Sequence, residues 1–152
     1  MWINYFGIRV TDLERSREFY TKVFGLVEIA HGGNDVQKYV LFKDRMSGQR
    51  IELNWYGSES EFCTPYFPGE GLDHIGVRVK SLEETLGRLS TLGIFPATEE
   101  LGALDEKGQP DGKDIWVLPS GHNVAYIKDP DDNFIELYDH PEESWGSIPE
   151  GY

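Results

Sequence analysis

An internal repeat constrains the fold of this 152-residue chain more than any other feature of its sequence. The segment Gly7-Ile8-Arg9-Val10 recurs as Gly76-Val77-Arg78-Val79, an offset of 69 residues (76 − 7). At the same offset, Leu13-Glu14 recurs as Leu82-Glu83. Self-similarity of this kind predicts that the chain builds the same structural unit twice.

Each copy of the repeat leads into a predicted helix. Thr11-Asp12-Leu13-Glu14 and Ser81-Leu82-Glu83-Glu84 both have the S/T-x-x-E pattern, in which the hydroxyl caps the helix and the Glu reaches back. The helices should end at Gly25 and Gly93, because glycine accepts the left-handed conformation that commonly follows a helix. Their apolar stripes are Leu13, Phe19, Tyr20 and Val23 in the first helix and Leu82, Leu86, Leu89 and Leu92 in the second.

Short strands follow each helix. We predict strands at residues 26–30, 37–43 and 50–56 in the first copy, and at 95–99, 124–128 and 133–139 in the second, with an extra strand at 115–118 after an insertion at 102–114. The segment 129–133 between the last two strands is interpreted as a hairpin turn. Strand, helix and three strands, occurring twice, predict an α+β fold of two tandem βαβββ modules that enclose a cleft.

Changes in residue composition along the chain predict where the modules begin and end. We assign residues 1–57 to the first module, 58–71 to a linker rich in Pro and Gly, 72–139 to the second module and 140–152 to an acidic C-terminal arm. The net charge of −13 argues against nucleic acid and anionic membrane surfaces as partners. The single cysteine, Cys63, excludes an internal disulfide. Together with the lack of a signal-like N-terminus, these features favour a cytoplasmic protein.

Polar residues fall at related places in the two copies. His74 lies at the start of the second copy, and Tyr5 is its counterpart (74 − 69 = 5). Glu52 and Glu136 each lie in an Ile-Glu-Leu segment on the last strand of their copy. Because side chains alternate across a strand, the apolar neighbours should face the core and both Glu side chains the cleft.

This donor set suits a metal ion. A single Glu in such a strand is usually exposed to solvent and without function. One imidazole and two carboxylates at related positions, however, suit Zn²⁺, Ni²⁺, Co²⁺, Mn²⁺ or Fe²⁺. We therefore expect one divalent ion per chain, held by Glu52, His74 and Glu136, with open positions for water or substrate.

The sequence resembles the vicinal oxygen chelate superfamily, and within it glyoxalase I, in the glyoxalase, bleomycin resistance and dioxygenase family. The resemblance runs from Tyr5 to about Asp139. It is carried by residues 7–16 (GIRVTDLERS), 72–76 (LDHIG) and 126–137 (YIKDPDDNFIEL). It implies a curved glyoxalase-type sheet, a homodimer and a small-molecule substrate. It also implies metal ligands at Glu52, His74 and Glu136.

Two family positions depart from the pattern. Tyr5 stands where the family has a fourth ligand, a His, and a phenol is a poor ligand until it loses a proton with a pKa near 10. The basic residue expected shortly before His74 is missing, which speaks against glutathione as substrate. Arg9 matches the family arginine that binds the carboxylate of that peptide. The substrate-binding candidates are Arg9, Asn54, Tyr56 and His122.

The resemblance implies a metal-dependent lyase or isomerase. In this hypothesis a substrate with vicinal oxygens passes through an enediolate while a carboxylate moves a proton between adjacent carbons. Glu136 is our choice of base, with Glu52 as the alternative. Two other functions stay open, an Fe²⁺ dioxygenase of extradiol type and a metal-free module that sequesters an aromatic drug. Aromatic candidates for the latter are Trp55, Tyr56, Trp116 and Tyr126.

Overall fold

The computed structural model describes residues 4–65, 67, 72–98, 112–117 and 123–139. In chain order the elements are β1 (Phe6–Arg9), α1 (Leu13–Phe24), β2 (Val27–Gly33), β3 (Gln37–Lys43), β4 (Arg50–Tyr56), β5 (His74–Arg78), α2 (Leu82–Ser90), β6 (Trp116–Val117), β7 (Asn123–Lys128) and β8 (Phe134–Asp139). The strands form two four-stranded mixed sheets, ordered β1-β4-β3-β2 and β5-β8-β7-β6. The α+β fold of two βαβββ modules is confirmed.

The chain forms two compact units. Unit 1 consists of Met1–Glu70 together with Asp129–Asp132, and unit 2 consists of Gly71–Lys128 together with Asn133–Tyr152. In unit 1, β1 pairs in parallel with β4, and β3 pairs antiparallel with both β4 and β2. Unit 2 repeats this arrangement with β5, β8, β7 and β6.

Helix α1 packs against β3 and β4 of the first sheet. Its buried face includes Ser16, which the predicted apolar stripe did not contain. Phe19, which that stripe did contain, is only half-buried. The helix ends at Gly25 in the left-handed conformation (φ 66°), as predicted. The apolar core of unit 1 consists of Ile8, Val10, Leu13, Tyr20, Val23, Leu26, Val40, Phe42 and Leu53.

The cap of α1 lies one residue later than predicted. Asp12, not Thr11, is the N-cap, and its carboxylate accepts a hydrogen bond from the Arg15 N–H at 3.0 Å. The Thr11 hydroxyl donates instead to Asp131, more than a hundred residues away. Because the Thr11 hydroxyl is bonded to Asp131, the carboxylate of the next residue, Asp12, caps the helix instead.

The turn between β7 and β8 belongs to unit 1. The Asp132 N–H donates to the Asp129 carbonyl at 3.1 Å, and Asp132 has a positive φ of 64°, which confirms the hairpin turn. Asp131 is buried, and its carboxylate accepts from the Thr11 N–H at 2.9 Å and from the Ser16 hydroxyl at 3.0 Å. The Asp129 carboxylate accepts from the Tyr20 hydroxyl at 2.9 Å. Polar groups buried in unit 1 are thus paired with this turn.

Helix α2 begins as predicted but ends early. Ser81 is the N-cap and accepts from the Glu84 N–H at 3.3 Å. The helix stops at Ser90, and Gly93 (φ 75°) follows in the turn beyond it. Leu92 is consequently 47% exposed, so its place in the predicted apolar stripe is wrong. No helix in the described ranges is both long and apolar enough to cross a membrane.

The edge strand of the second sheet is the extra strand predicted at 115–118, shortened to β6, and not the strand predicted at 95–99. Residues 95–97 form no strand, and β6 pairs with β7 at that edge instead. Phe95 is exposed, and Pro96 has no N–H to donate to a ladder. The Ala97 N–H does donate to the Tyr126 carbonyl at 2.8 Å. Most of the predicted insertion, residue 118 and the C-terminal arm at 140–152 lie outside the described residues.

Candidate metal centre

The two glutamates occupy equivalent places in their sheets. Glu52 pairs with Gly7 across the parallel β1–β4 ladder, and Glu136 pairs with Gly76 across the β5–β8 ladder. Their strand neighbours on the opposite face are fully buried, namely Leu53 in unit 1 and Ile135 and Leu137 in unit 2. Because side chains alternate, each Glu lies on the sheet face away from that core, as predicted.

In unit 2, His74 and Glu136 form a close pair. His74 is the first residue of β5, and its Nε2 lies 3.0 Å from Glu136 Oε2. The other ring nitrogen, Nδ1, lies 3.0 Å from an oxygen of Asp73. The His74 and Glu136 side chains are 35% and 18% exposed, while that of Asp73 is 93% exposed. Asp73 was missed in the sequence, where its position directly before His74 was the available signal.

Tyr126 adds a second contact to this pair. It lies opposite Glu136 in the β7–β8 ladder, so the two side chains share one face of the sheet. Its ring meets the His74 imidazole edge to face, with centroids 5.8 Å apart, and stacks on Trp116 at 5.7 Å. Burial raises the pKa of the Tyr126 phenol, and the charges of Glu136 and Asp73 act in the same direction. The phenol is therefore a protonated donor at neutral pH.

In unit 1, Glu52 is held by the side chain of Asn54. The Asn54 amide donates to Glu52 Oε1 at 3.1 Å. A Cβ at Gly7 would lie 3.2 Å from that amide nitrogen, so the glycine leaves room for it. Asn54, predicted as a substrate residue, thus has an intramolecular role next to a predicted ligand.

Arg9 and Tyr56, both predicted as substrate residues, lie together in unit 1. The Arg9 guanidinium is 5.2 Å from the centre of the Tyr56 ring. It also donates to the carbonyl and the hydroxyl of Thr64, at 3.1 and 2.9 Å. Phe62 approaches the same tyrosine, with ring centroids 5.6 Å apart. Arg9 therefore ties the segment after β4 to the sheet.

The remaining predicted residues have different outcomes. Tyr5 directly precedes β1, whereas its counterpart His74 is the first residue of β5, and the Tyr5 side chain is 44% exposed. His122 lies outside the described residues. Their roles as ligand and substrate contact stay predictions.

The donor chemistry fits a divalent ion. Ligand atoms that each lie about 2.1 Å from one ion are roughly 3.0–3.4 Å apart, which accommodates the 3.0 Å between His74 Nε2 and Glu136 Oε2. Glu52 belongs to unit 1 and the other two predicted ligands to unit 2. Within the described ranges, no group of three or more His, Cys, Asp or Glu side chains is arranged to hold an ion. The structure thus brings together two of the predicted ligands.

Comparison with known proteins identifies relatives over nearly the whole chain. The family model for the Glyoxalase/Bleomycin resistance protein/Dioxygenase superfamily matches residues 2–137. A "Probable lactoylglutathione lyase" of Vibrio cholerae is 29% identical over 134 residues, 86% of this chain and 84% of that protein. A "Probable trivalent organoarsenical cleaving enzyme" of Bacillus subtilis is 30% identical over 135 residues, 87% and 75% of the two chains. The crystal structure of a fosfomycin resistance protein of Listeria monocytogenes, complexed with Mn(II) and sulfate, superimposes with a TM-score of 0.59 at 18% identity. The match covers 97% of this chain and 93% of that chain.

Proposed function

Because the chain belongs to the Glyoxalase/Bleomycin resistance protein/Dioxygenase superfamily, we propose that it is a divalent-metal-dependent lyase or isomerase of the glyoxalase type. Its substrate is a small molecule with two adjacent oxygens. The observation that carries the proposal is the 3.0 Å approach of His74 Nε2 to Glu136 Oε2. These are an imidazole and a carboxylate that the neighbouring strands β5 and β8 of the second copy bring side by side.

Glu52, His74 and Glu136 would hold the ion, with Tyr5 as a weaker fourth ligand. The Asp73 carboxylate supports this role of His74, because accepting the Nδ1–H favours the tautomer whose Nε2 lone pair can bind an ion. A bound divalent ion would supply Lewis-acid polarisation of the substrate oxygens. The candidate metals are Zn²⁺, Ni²⁺, Co²⁺, Mn²⁺ and Fe²⁺, and the Mn(II) named for the Listeria protein is consistent with this group.

The chain's own chemical step is a proton transfer. The Glu136 carboxylate takes the proton from the hydroxyl-bearing carbon next to a carbonyl and returns it to the former carbonyl carbon. The hydroxyl proton passes to the former carbonyl oxygen, so the product is an isomer of the substrate. The Glu136 side chain is only 18% exposed, which removes most of the water that would compete for the proton. Glu52, held by Asn54, is the alternative base.

Glutathione is a poor candidate for part of the substrate. Arg9, the matching arginine for its carboxylate, already donates two hydrogen bonds to Thr64. The residue directly before His74 is the acidic Asp73, and the chain carries 27 acidic against 14 basic residues. An anionic peptide would meet repulsion at such a site. We therefore propose a smaller and less charged substrate.

The proposal predicts metal-dependent binding of an oxygen chelator. Acetohydroxamate, which presents two adjacent oxygens, should bind at least about tenfold more tightly to Co²⁺-loaded protein than to protein treated with a chelating agent. Isothermal titration calorimetry of both forms measures this difference. The His74→Ala variant, exposed to Co²⁺ in the same way, should show no gain.

The alternatives predict different results in the same experiment. Equal binding with and without metal would contradict the proposal and support the drug-sequestering module. Oxygen consumption by the Fe²⁺-loaded protein with a catechol would support the dioxygenase.

A further inference from the structure

Two large aromatic side chains lie on the sheet face that carries Glu136 in unit 2. Tyr126 of β7 is opposite Glu136 of β8, and Trp116 of β6 is opposite Val124, two residues before Tyr126 on β7. Residues that lie opposite one another in a ladder, or two apart on one strand, share a face of the sheet. Trp116 and Tyr126, here called the aromatic wall, therefore lie on the same face as Glu136, away from the buried core.

The aromatic wall begins directly at the proposed metal pair. The Tyr126 ring meets the His74 imidazole at 89°, with centroids 5.8 Å apart, and it stacks on Trp116 at 28° and 5.7 Å. Both wall residues are only partly buried. Small-molecule sites are typically lined by aromatic side chains that bind the apolar part of the ligand, next to a few polar groups that orient it. The wall and the metal pair together have this composition.

The other two aromatic candidates lie in unit 1 and have different surroundings. Trp55 lies two residues after the buried Leu53 on β4, and therefore on the sheet face opposite to that of Glu52. Tyr56 packs under the guanidinium of Arg9, which is 5.2 Å from its ring centre. The aromatic surface next to the proposed metal pair is thus formed by the two candidates from unit 2.

We propose that the substrate of this centre carries an uncharged aromatic ring next to its two adjacent oxygens, as in an aryl hydroxyketone, and that Trp116 and Tyr126 bind this ring. The inference rests on the proposed function and names its substrate class. A substrate that chelates an ion held by His74 and Glu136 brings the substituent on its chelating carbons close to Tyr126. A flat ring can stack on such a wall or meet it edge to face. An anionic substituent would be repelled by Asp73 and Glu136.

Three hydroxamates separate ring stacking from size. All chelate through the same two oxygens, but acetohydroxamate carries a methyl group, cyclohexanecarbohydroxamate a saturated ring and benzohydroxamate an aromatic ring. Isothermal titration calorimetry with the Co²⁺-loaded protein gives their dissociation constants. Benzohydroxamate should bind wild type at least about tenfold more tightly than acetohydroxamate, because it buries more apolar surface. It should bind about threefold more tightly than the cyclohexane compound, because aromatic pairs contribute beyond their buried area.

Substitutions of Trp116 test the same idea from the protein side. Trp116→Leu keeps an apolar side chain without a ring, so it should lose most of the preference for benzohydroxamate over the cyclohexane compound and bind acetohydroxamate like wild type. Trp116→Phe keeps a smaller ring and should retain part of the preference. Trp55→Leu removes the indole in unit 1 and is the matched control, which should keep the whole preference. Comparing the ratio of dissociation constants between proteins cancels the intrinsic difference of the chelators for Co²⁺.

The outcomes distinguish two kinds of failure. If acetohydroxamate binding requires metal but wild type does not prefer benzohydroxamate to the cyclohexane compound, the aromatic substrate class is overturned while the proposed function stands. A folded Trp116→Leu protein with the wild-type preference overturns it as well. Thermal melting checks the folding of each variant, and if Trp116→Leu does not fold, Trp116→Phe with an undiminished preference overturns it instead. If neither acetohydroxamate nor benzohydroxamate requires metal for binding, the proposed function fails, and the substrate class fails with it.

Discussion

Replacing Asp131 with alanine is expected to lower the free energy of unfolding by about 3–4 kcal/mol. The carboxylate is buried and accepts hydrogen bonds from the Thr11 N–H, the Thr11 hydroxyl and the Ser16 hydroxyl. Without it, the fully buried Ser16 hydroxyl and the Thr11 N–H would lose this partner. Each unpaired buried donor costs about 1–3 kcal/mol. The Arg15 contact is half exposed and contributes little to this total.

Urea denaturation of wild type, Asp131→Ala and Asp131→Asn measures the effect. The asparagine keeps the shape of the side chain and one acceptor. Asp131→Asn should therefore lower the free energy of unfolding by about half as much as Asp131→Ala. The control is Asp35→Ala in the exposed β2–β3 turn, which should stay within about 0.5 kcal/mol of wild type. An Asp131→Ala protein as stable as the Asp35→Ala protein would show that these hydrogen bonds do not stabilise the fold.

Replacing Glu136 with glutamine should reduce proton transfer by about 10²- to 10⁴-fold, because the amide cannot accept the proton. Exchange of the carbon-bound hydrogens of hydroxyacetone with D₂O, followed by NMR, measures the step on a simple hydroxyketone in place of the natural substrate. Glu84→Gln, an exposed residue in the first turn of α2, is the matched control and should exchange at the wild-type rate.

Metal content must be measured on the same Glu136→Gln samples, since an amide is also a weaker ligand. Loss of exchange with the ion retained would assign Glu136 as the base. Loss of both would assign it as a ligand and leave Glu52 as the base. Exchange at the wild-type rate would contradict a chemical role for Glu136.

The repeat was sufficient to predict the architecture. Residues 37–43 and 50–56 form β3 and β4 with the predicted bounds, because alternation of polar and apolar side chains has a fixed period of two. The errors arose where contacts between residues distant in sequence determine the local structure. Thr11 fits a local capping pattern, but its hydroxyl is engaged by Asp131. Residues 95–97 begin with the strand-forming Phe95, but Pro96 has no N–H to donate to a ladder, and the Ala97 hydrogen bond to Tyr126 is not extended into a strand.

The site was predicted less completely than the fold. Strand alternation was enough to place Glu52 and Glu136 on the faces opposite the core. The neighbours of Glu136 depend on pairing between strands, which the linear sequence does not display. Tyr126 was therefore interpreted only as an aromatic wall, although it lies opposite Glu136 in the ladder. Asn54 was interpreted as a substrate contact, although its amide donates to Glu52 on the same strand.

The most direct test of metal-centred function is the metal content of the protein itself. Wild type and His74→Ala, loaded with a divalent metal and freed of excess, would be compared by inductively coupled plasma mass spectrometry. We predict about one ion per chain in wild type and a small fraction of that in His74→Ala, because the imidazole is the one neutral nitrogen donor of the set. Equal stoichiometry in the two proteins would contradict the assignment of the centre.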